Sequence, residues 1–67
     1  MSIQVNGRIL ELEKSVVTIA DLLQSYNIQQ KISVVEHNKE IINKSHYEQA
    51  KLSDGDTLEI VHFVGGG

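Results

Sequence analysis

The chain has 67 residues, of which six are basic and nine acidic, giving a net charge of −3, and it has no cysteine. A chain of this length forms one domain and buries only ~60% of the surface that its unfolded form exposes. The charge excludes the positive surface that nucleic acid or an anionic membrane requires, so we expect neither as a partner. The lack of cysteine excludes a disulfide framework, a thiolate metal site and a cysteine nucleophile.

The chain also lacks the signals of export or membrane insertion. No stretch approaches the ~20 apolar residues of a membrane span. The first residues have neither the basic nor the apolar region of a signal peptide. We therefore expect a cytoplasmic protein, in keeping with the absence of cysteine.

The first two strands are predicted on either side of Asn6-Gly7. Ile3-Gln4-Val5 precedes this pair, and after it Leu10 and Leu12 alternate with glutamates. Asn-Gly between alternating runs is typical of a type I′ turn, because both central residues of that turn need a positive φ. The chain is thus predicted to open with an antiparallel hairpin.

One helix is predicted to follow this hairpin. Thr18 and Asp21 have the spacing of a capping box at its start. One apolar stripe runs along the helix, formed by Ile19, Leu22, Leu23 and Tyr26. Asn27 is expected to end the helix, because asparagine tolerates the left-handed conformation found there.

The second half of the chain is predicted to be mainly β-structure. Strands are predicted at residues 32–36, 40–42 and 57–64, with turns at 37–39 and 54–56. Ser45 and Glu48 have capping-box spacing and predict a turn or two of irregular helix. Tyr47 and Leu52 are expected to point inwards from this segment.

The predicted order is β-β-α-β-β-β with one substantial helix. One amphipathic helix covers only one face of a sheet, so we expect an α+β fold in which a mixed sheet packs on that helix. This is the β-grasp, or ubiquitin-like, arrangement. The last strand is apolar over most of its length and is predicted to lie at the sheet centre. We assign residues 1–64 to this domain and residues 65–67 to a flexible C-terminal glycine tail.

Side chains that could carry chemistry are sparse. The histidines His37, His46 and His62 have no second ligand at helical metal spacing and no serine in a nucleophile motif. The glutamates mostly alternate with apolar residues, as on the wet face of a strand, and suggest no acid–base pair. The sequence therefore predicts no catalytic residue, no metal site and no bound cofactor, so we do not expect an enzyme.

The C-terminal glycines allow two interpretations. Gly65-Gly66-Gly67 could be a frayed terminus or a cloning remnant. Alternatively, the α-carboxylate of Gly67 is the reactive group, while Gly65 and Gly66 let it thread a narrow channel in a partner's active site. Three extended residues reach at most ~10 Å beyond the strand. The predicted β-grasp body favours the second interpretation.

Strand parity predicts an interaction surface next to this tail. If Leu58 and Ile60 face the helix, Val61 and Phe63 lie on the opposite face of the sheet. With Val64 they form our candidate partner interface, because exposed apolar patches mark interaction sites. The alternative is that loops cover these side chains.

The chain resembles the ThiS family, the sulfur carriers of thiazole formation in thiamine biosynthesis. The resemblance covers essentially the whole chain, including the Asn6-Gly7 hairpin, Leu22-Leu23 and residues 35–42. It is most specific in the closing run, residues 54–67, which reads DGDTLEIVHFVGGG.

The resemblance implies a carrier cycle that ends on Gly67. An E1-like enzyme, using ATP and magnesium, adenylates the Gly67 carboxylate. Sulfur from a donor such as a cysteine desulfurase converts the adenylate to a thiocarboxylate, which supplies thiazole synthase. The alternatives are the small subunit of molybdopterin synthase, a ubiquitin-like modifier, and a β-grasp binding module whose tail has no role.

Overall fold

The computed structural model describes residues 1–62, and of His62 only the backbone. The predictions for Phe63, Val64 and residues 65–67 lie outside the described residues. The strands are β1 (Ser2–Val5), β2 (Arg8–Glu11), β3 (Ser33–His37), β4 (Glu40–Ile42) and β5 (Thr57–His62). The helix α1 spans Ile19–Ser25, and two 3₁₀ turns span Gln30–Ile32 and Lys44–His46.

The five strands form one mixed sheet in the order β2-β1-β5-β3-β4. β1 is antiparallel to β2 and parallel to β5, and β3 is antiparallel to both β5 and β4. The predictions of a mixed sheet with one helix, and of the last strand at its centre, are confirmed. The third strand begins at Ser33 rather than residue 32, because the 3₁₀ turn before it takes Ile32.

Two hairpins build the two outer parts of the sheet. In the first, Asn6 and Gly7 have φ values of 50° and 83°, as the type I′ prediction requires. In the second, Asn38 and Lys39 have φ values of 51° and 71°. Each pair thus turns the chain back within two residues, and each hairpin leaves one strand free to pair with β5.

The predicted start of α1 is confirmed. Thr18 Oγ1 accepts a hydrogen bond from the backbone N–H of Asp21 at 3.1 Å, and Asp21 Oδ2 accepts one from the N–H of Thr18 at 3.0 Å. Asp21 Oδ2 also accepts from the N–H of Val17 at 2.9 Å. The hydrogen bonds from Val17 and Thr18 lower the pKa of Asp21.

The predicted end of α1 at Asn27 is also confirmed, with a φ of 57°. The N–H of Asn27 donates to the carbonyl of Gln24, and the N–H of Ile28 donates to that of Leu23, as in a Schellman motif. The prediction that Tyr26 belongs to the buried stripe is wrong. Tyr26 is the C-cap, where the backbone leaves the helix, and its side chain is 51% exposed.

The segment after β4 is capped differently from the prediction. Asn43, not Ser45, caps this 3₁₀ turn. Asn43 Oδ1 accepts hydrogen bonds from both the backbone N–H and the hydroxyl of Ser45, so the Ser45 hydroxyl is already engaged. Tyr47 and Leu52 point inwards as predicted, with 1% and 7% exposure. Buried Tyr47 also directs its hydroxyl towards the carbonyl of Ser33.

The core lies between α1 and one face of the sheet. Its buried apolar side chains are Ile3, Leu12, Val16, Ile19, Ala20, Leu22, Leu23, Val35, Tyr47, Leu52 and Leu58. Every strand except β2 and β4 supplies a fully buried member, and Leu10 and Ile42 of those edge strands pack against the cluster. Within residues 1–62, no helix has the length and apolar character needed to span a bilayer.

A partly buried carboxylate joins the turn after β3 to the turn before β5. Asp56 Oδ2 lies 2.7 Å from His37 Nε2 and accepts from the N–H of Ser53 at 2.8 Å. Asp56 Oδ1 accepts from Asn38 Nδ2 at 3.2 Å. Burial alone would raise the pKa of Asp56, but these hydrogen bonds outweigh burial and hold that pKa below its ordinary value of 3.8. The ionised carboxylate therefore stabilises the start of β5.

We expect Asp56→Asn to be less stable than wild type near neutral pH, and this difference to shrink in acid. A carboxyl group with a lowered folded-state pKa stabilises the fold above its unfolded-state pKa and loses that effect as the pH falls through the folded-state value. The free energy of unfolding in urea, measured for both proteins from pH 7 downwards, should converge below about pH 4. A difference that stays constant into acid would contradict this role for Asp56.

We expect Leu58→Ala to unfold much of the protein, whereas Val61→Thr leaves it stable. Leu58 is fully buried, and truncating such a side chain costs about 2–5 kcal/mol, comparable with the ~3–5 kcal/mol that a single small core supplies. Val61 is 53% exposed, so the near-isosteric Val61→Thr should change the free energy of unfolding by less than about 0.5 kcal/mol. The loss in the free energy of unfolding for Ile60→Ala should lie between the losses for these two variants. Urea titrations monitored by circular dichroism test the order.

Candidate functional site

The strand that leads to the predicted tail, β5, lies at the centre of the sheet. β5 pairs with β3 from Leu58 to His62. Its parallel pairing with β1 covers only Thr57 and Leu58. One side of β5 is thus held along almost its whole described length, and the other side only at its start.

The side chain of Asn6 replaces the missing part of β1 beside β5. Asn6 Oδ1 accepts a hydrogen bond from the N–H of Ile60 at 2.7 Å, and Asn6 Nδ2 donates to the carbonyl of Ile60 at 3.1 Å. The backbone N–H of Asn6 donates to the carbonyl of Leu58 at 2.9 Å. The side-chain amide of Asn6 thereby pairs with both the N–H and the carbonyl that Ile60 directs towards β1. Such backbone groups are otherwise left unpaired only at the edge of a sheet.

The strand parity predicted for β5 is confirmed for its described side chains. Leu58 is fully buried and Ile60 packs against the core, whereas Glu59 and Val61 are exposed. Of our candidate interface, Val61 is therefore placed on the open face of the sheet. Its partner-binding role remains a prediction.

The open face carries further aliphatic side chains. Val61 lies directly opposite Val34 of β3, and Ile41 of β4 lies opposite Glu36. Ile41 is 72% exposed, as is Ile9 on β2. No described loop covers Ile9, Ile41 or Val61, and side chains of this kind become buried when a partner binds.

Within residues 1–62 no group of three or more His, Asp or Glu side chains is placed to hold a metal ion. His37 is engaged with Asp56 at the end of the sheet where β5 begins. His46 closes the 3₁₀ turn that follows Asn43. The side chain of His62 lies outside what the structure describes, so no chemistry is assigned to it.

A shallow pocket lies between residues 11–16 and the end of α1. Its carboxylate Glu11 accepts hydrogen bonds from the Ser2 hydroxyl at 2.8 Å and from the N-terminal amino group at 3.2 Å. These two contacts lower the pKa of Glu11. The pocket is near the sheet end where β5 begins, whereas the predicted tail follows the other end of β5, so it does not belong to the tail site.

Comparison with known proteins shows which family this chain resembles. Residues 3–67 match the ThiS family. The chain is 52% identical over 65 residues to the sulfur carrier protein ThiS of Bacillus subtilis, covering 97% of this chain and 98% of that protein. The chain belongs to the ThiS family.

A solved structure of another ThiS family member has the same fold. The crystal structure of the thiamine biosynthesis protein ThiS from Geobacter metallireducens superposes with a TM-score of 0.82 at 28% identity, with both chains fully covered. The prediction of a β-grasp fold is thereby confirmed. In addition, the whole chain aligns at 40% identity with 20% of the thiazole synthase of Paramagnetospirillum magneticum.

Two features of the site were missed from the sequence. Asn6 was read only as a turn residue, although its amide also pairs with Ile60. The alternation of glutamates with apolar residues indicated wet strand positions, but not that Glu36 and Glu59 lie directly opposite one another. The second feature depends on the register between two strands that no hairpin joins, and no local signal in the sequence sets that register.

We expect Asn6→Gly to loosen the second half of β5 selectively. Glycine tolerates the positive φ of this turn, so the variant removes the side-chain hydrogen bonds without adding backbone strain. The loss should be about 1–3 kcal/mol for two hydrogen bonds. Amide hydrogen exchange should quicken at Ile60 more than at Val35, and equal quickening at both amides would contradict a local role for Asn6.

Proposed function

We propose that this chain is the sulfur carrier of thiazole formation in thiamine biosynthesis, and that the carboxylate of Gly67 carries the sulfur. Membership of the ThiS family, at 52% identity to a sulfur carrier protein over nearly the full length, is the observation that carries the proposal. The family match also favours this function over that of a molybdopterin synthase subunit, a modifier or a simple binding module. We place the cycle in the cytoplasm, as the composition of the chain suggests.

The first step makes the carboxylate of Gly67 reactive. A carboxylate is a poor electrophile because its negative charge repels nucleophiles and it has no adequate leaving group. An E1-like enzyme therefore joins it to the α-phosphorus of ATP, with magnesium neutralising the phosphates and pyrophosphate leaving. The product is an acyl adenylate whose leaving group is AMP.

The second step exchanges oxygen for sulfur. The terminal sulfur of a persulfide, such as that of a cysteine desulfurase, displaces AMP and forms an acyl disulfide on Gly67. A thiol then reduces the sulfur–sulfur bond, which leaves a C-terminal thiocarboxylate. This chain has no cysteine of its own, so it offers no thiol that could capture the activated carbonyl.

The third step delivers the sulfur to thiazole synthase. Support for this partner comes from two relatives named thiazole synthase, from Paramagnetospirillum magneticum and Magnetococcus marinus. The whole of this chain aligns with about a fifth of each of them, at 40% and 33% identity. A segment similar to this carrier is therefore part of those two polypeptides.

The described part of the chain suits a carrier that acts as a substrate of other enzymes. It holds β5 between two strands, while Val61 lies exposed on the open face near the tail. Gly65 and Gly66 have no side chains, so they suit a narrow channel that leads to a partner's reactive centre. With Val61, Phe63 and Val64 form the proposed partner interface beside that channel.

We expect that lengthening the chain by one residue after Gly67 abolishes adenylation. One added residue moves the terminal carboxylate about 3.5 Å along the chain, and a displacement of ~1 Å can already reduce a rate about 100-fold. Deleting Gly67 shifts the carboxylate equally in the other direction and should abolish adenylation too. The assay is ATP–pyrophosphate exchange by the adenylating enzyme, with the melting temperature of each variant as the control for folding.

Gly66→Leu and Gly66→Ala test the channel separately from the carboxylate. Both variants keep the reactive carboxylate in place, and the rate of exchange should fall more with leucine than with alanine. Exchange at the wild-type rate by the lengthened chain would overturn the proposal, because a mechanism that activates Gly67 as a terminus requires it to be the last residue.

A further inference from the structure

Two glutamates face each other at the middle of the open sheet face. Glu36 of β3 and Glu59 of β5 are direct partners in the antiparallel register. Side chains in such positions have Cβ atoms about 4.5–5.5 Å apart. Like charges placed directly opposite one another destabilise a sheet, so this pair is unfavourable for the carrier on its own.

The repulsion between these carboxylates is not offset by the described part of the chain. Neither Glu36 nor Glu59 has an ion pair or a hydrogen bond with a described side chain. None of the six basic residues lies in β3 or β5. The nearest along the chain, Lys39, lies in the turn after β3. Within the described part of the chain, no side chain therefore pairs with either carboxylate.

Aliphatic side chains flank the acidic pair on two sides. Val34 and Val61 form the next cross-strand pair on the side towards the tail, and Ile41 lies beside Glu36 on β4. Val34 is half-buried but does not pack against the core cluster. Together Val34, Glu36, Ile41, Glu59 and Val61 make a surface, here called the acidic face, with a charged centre and an apolar margin.

We propose that the acidic face docks on thiazole synthase, which places a lysine or arginine side chain between Glu36 and Glu59. Thiazole synthase is the partner chosen because two relatives of that name contain a segment similar to this whole chain. This inference rests on the proposed carrier function. A cation between the carboxylates removes their repulsion and forms charge-assisted hydrogen bonds to both, which strengthen as the surrounding aliphatic side chains exclude water. The charge that disfavours the free carrier thus becomes a source of affinity and of specificity.

The position of the acidic face suits delivery of the tail. Val61 and Gly67 are six residues apart, and six extended residues span at most about 20 Å. A partner that binds the acidic face therefore has the C-terminal carboxylate within that distance of the contact.

Protection of a sheet edge does not account for a charge pair between β3 and β5. Both are central strands, and central strands need no charges to prevent edge-to-edge aggregation.

The test compares charge-neutralising variants at matched positions. Glu36→Gln, Glu59→Gln and the double variant remove charge from the acidic face. Glu13→Gln and Glu48→Gln make the same change at exposed glutamates outside it. Titration calorimetry with thiazole synthase gives Kd at low and high salt, and thermal unfolding gives Tm for each free variant.

We expect opposite effects on binding and on stability. Glu36→Gln and Glu59→Gln should each weaken binding about tenfold or more and reduce its dependence on salt. The same variants should keep the wild-type Tm or raise it by up to about 4 °C, because they relieve the repulsion. Glu13→Gln and Glu48→Gln should change Kd less than about twofold.

Three results would overturn the inference. Wild-type affinity in the double variant would mean that the acidic face makes no contact with the synthase. A lower Tm in the single variants would mean that the pair supports the fold instead. A rise in the KM of ATP–pyrophosphate exchange, with no change in synthase binding, would assign the face to the adenylating enzyme.

Failure of the carrier function itself gives a different pattern. In that case the wild-type chain neither supports ATP–pyrophosphate exchange nor binds thiazole synthase. If the wild type does both and the glutamine variants at the acidic face behave like Glu13→Gln and Glu48→Gln, only the docking inference fails.

Discussion

The pairing of β5 between β1 and β3 is the constraint on which the rest of this structure depends. It joins two hairpins that have no strand contact with each other. It also buries Leu58 in the core cluster that packs against α1. Side chains hold β5 at two places, Asp56 just before its start and Asn6 beside Ile60. The position of the proposed reactive terminus therefore depends on a strand with partners on both sides.

A single seven-residue helix gives this sheet two different faces. α1 covers one face, and its buried side chains share a cluster with Ile3, Val35 and Leu58. The other face has no covering element within residues 1–62, and it carries the exposed Ile9, Ile41 and Val61. One face thus provides the stability, while the other carries the surface that we propose the partners recognise.

Local signals were enough to predict most of the fold. The Asn6-Gly7 turn, the capping box at Thr18 and the end of the helix at Asn27 each depend on residues close in sequence. Tyr26 was misplaced because helical periodicity says nothing about where the backbone leaves the helix. The contacts of Asn6 with Ile60 and of Glu36 with Glu59 required the register of strands that are distant in the chain. At the site, the exposure of Val61 was predictable, but the charge pair beside it was not.

The central place of the last strand also determines when this protein can fold during synthesis. The ribosome makes β1, β2, α1, β3 and β4 before β5. Without β5, the two hairpins have no common partner, and an isolated hairpin is at best marginally stable in water. The sheet is thus completed by pairs such as Gln4 with Thr57, which are 53 residues apart. The chain must complete β5 before it gains its structure, so an unfinished carrier presents no ordered sheet face to its partners.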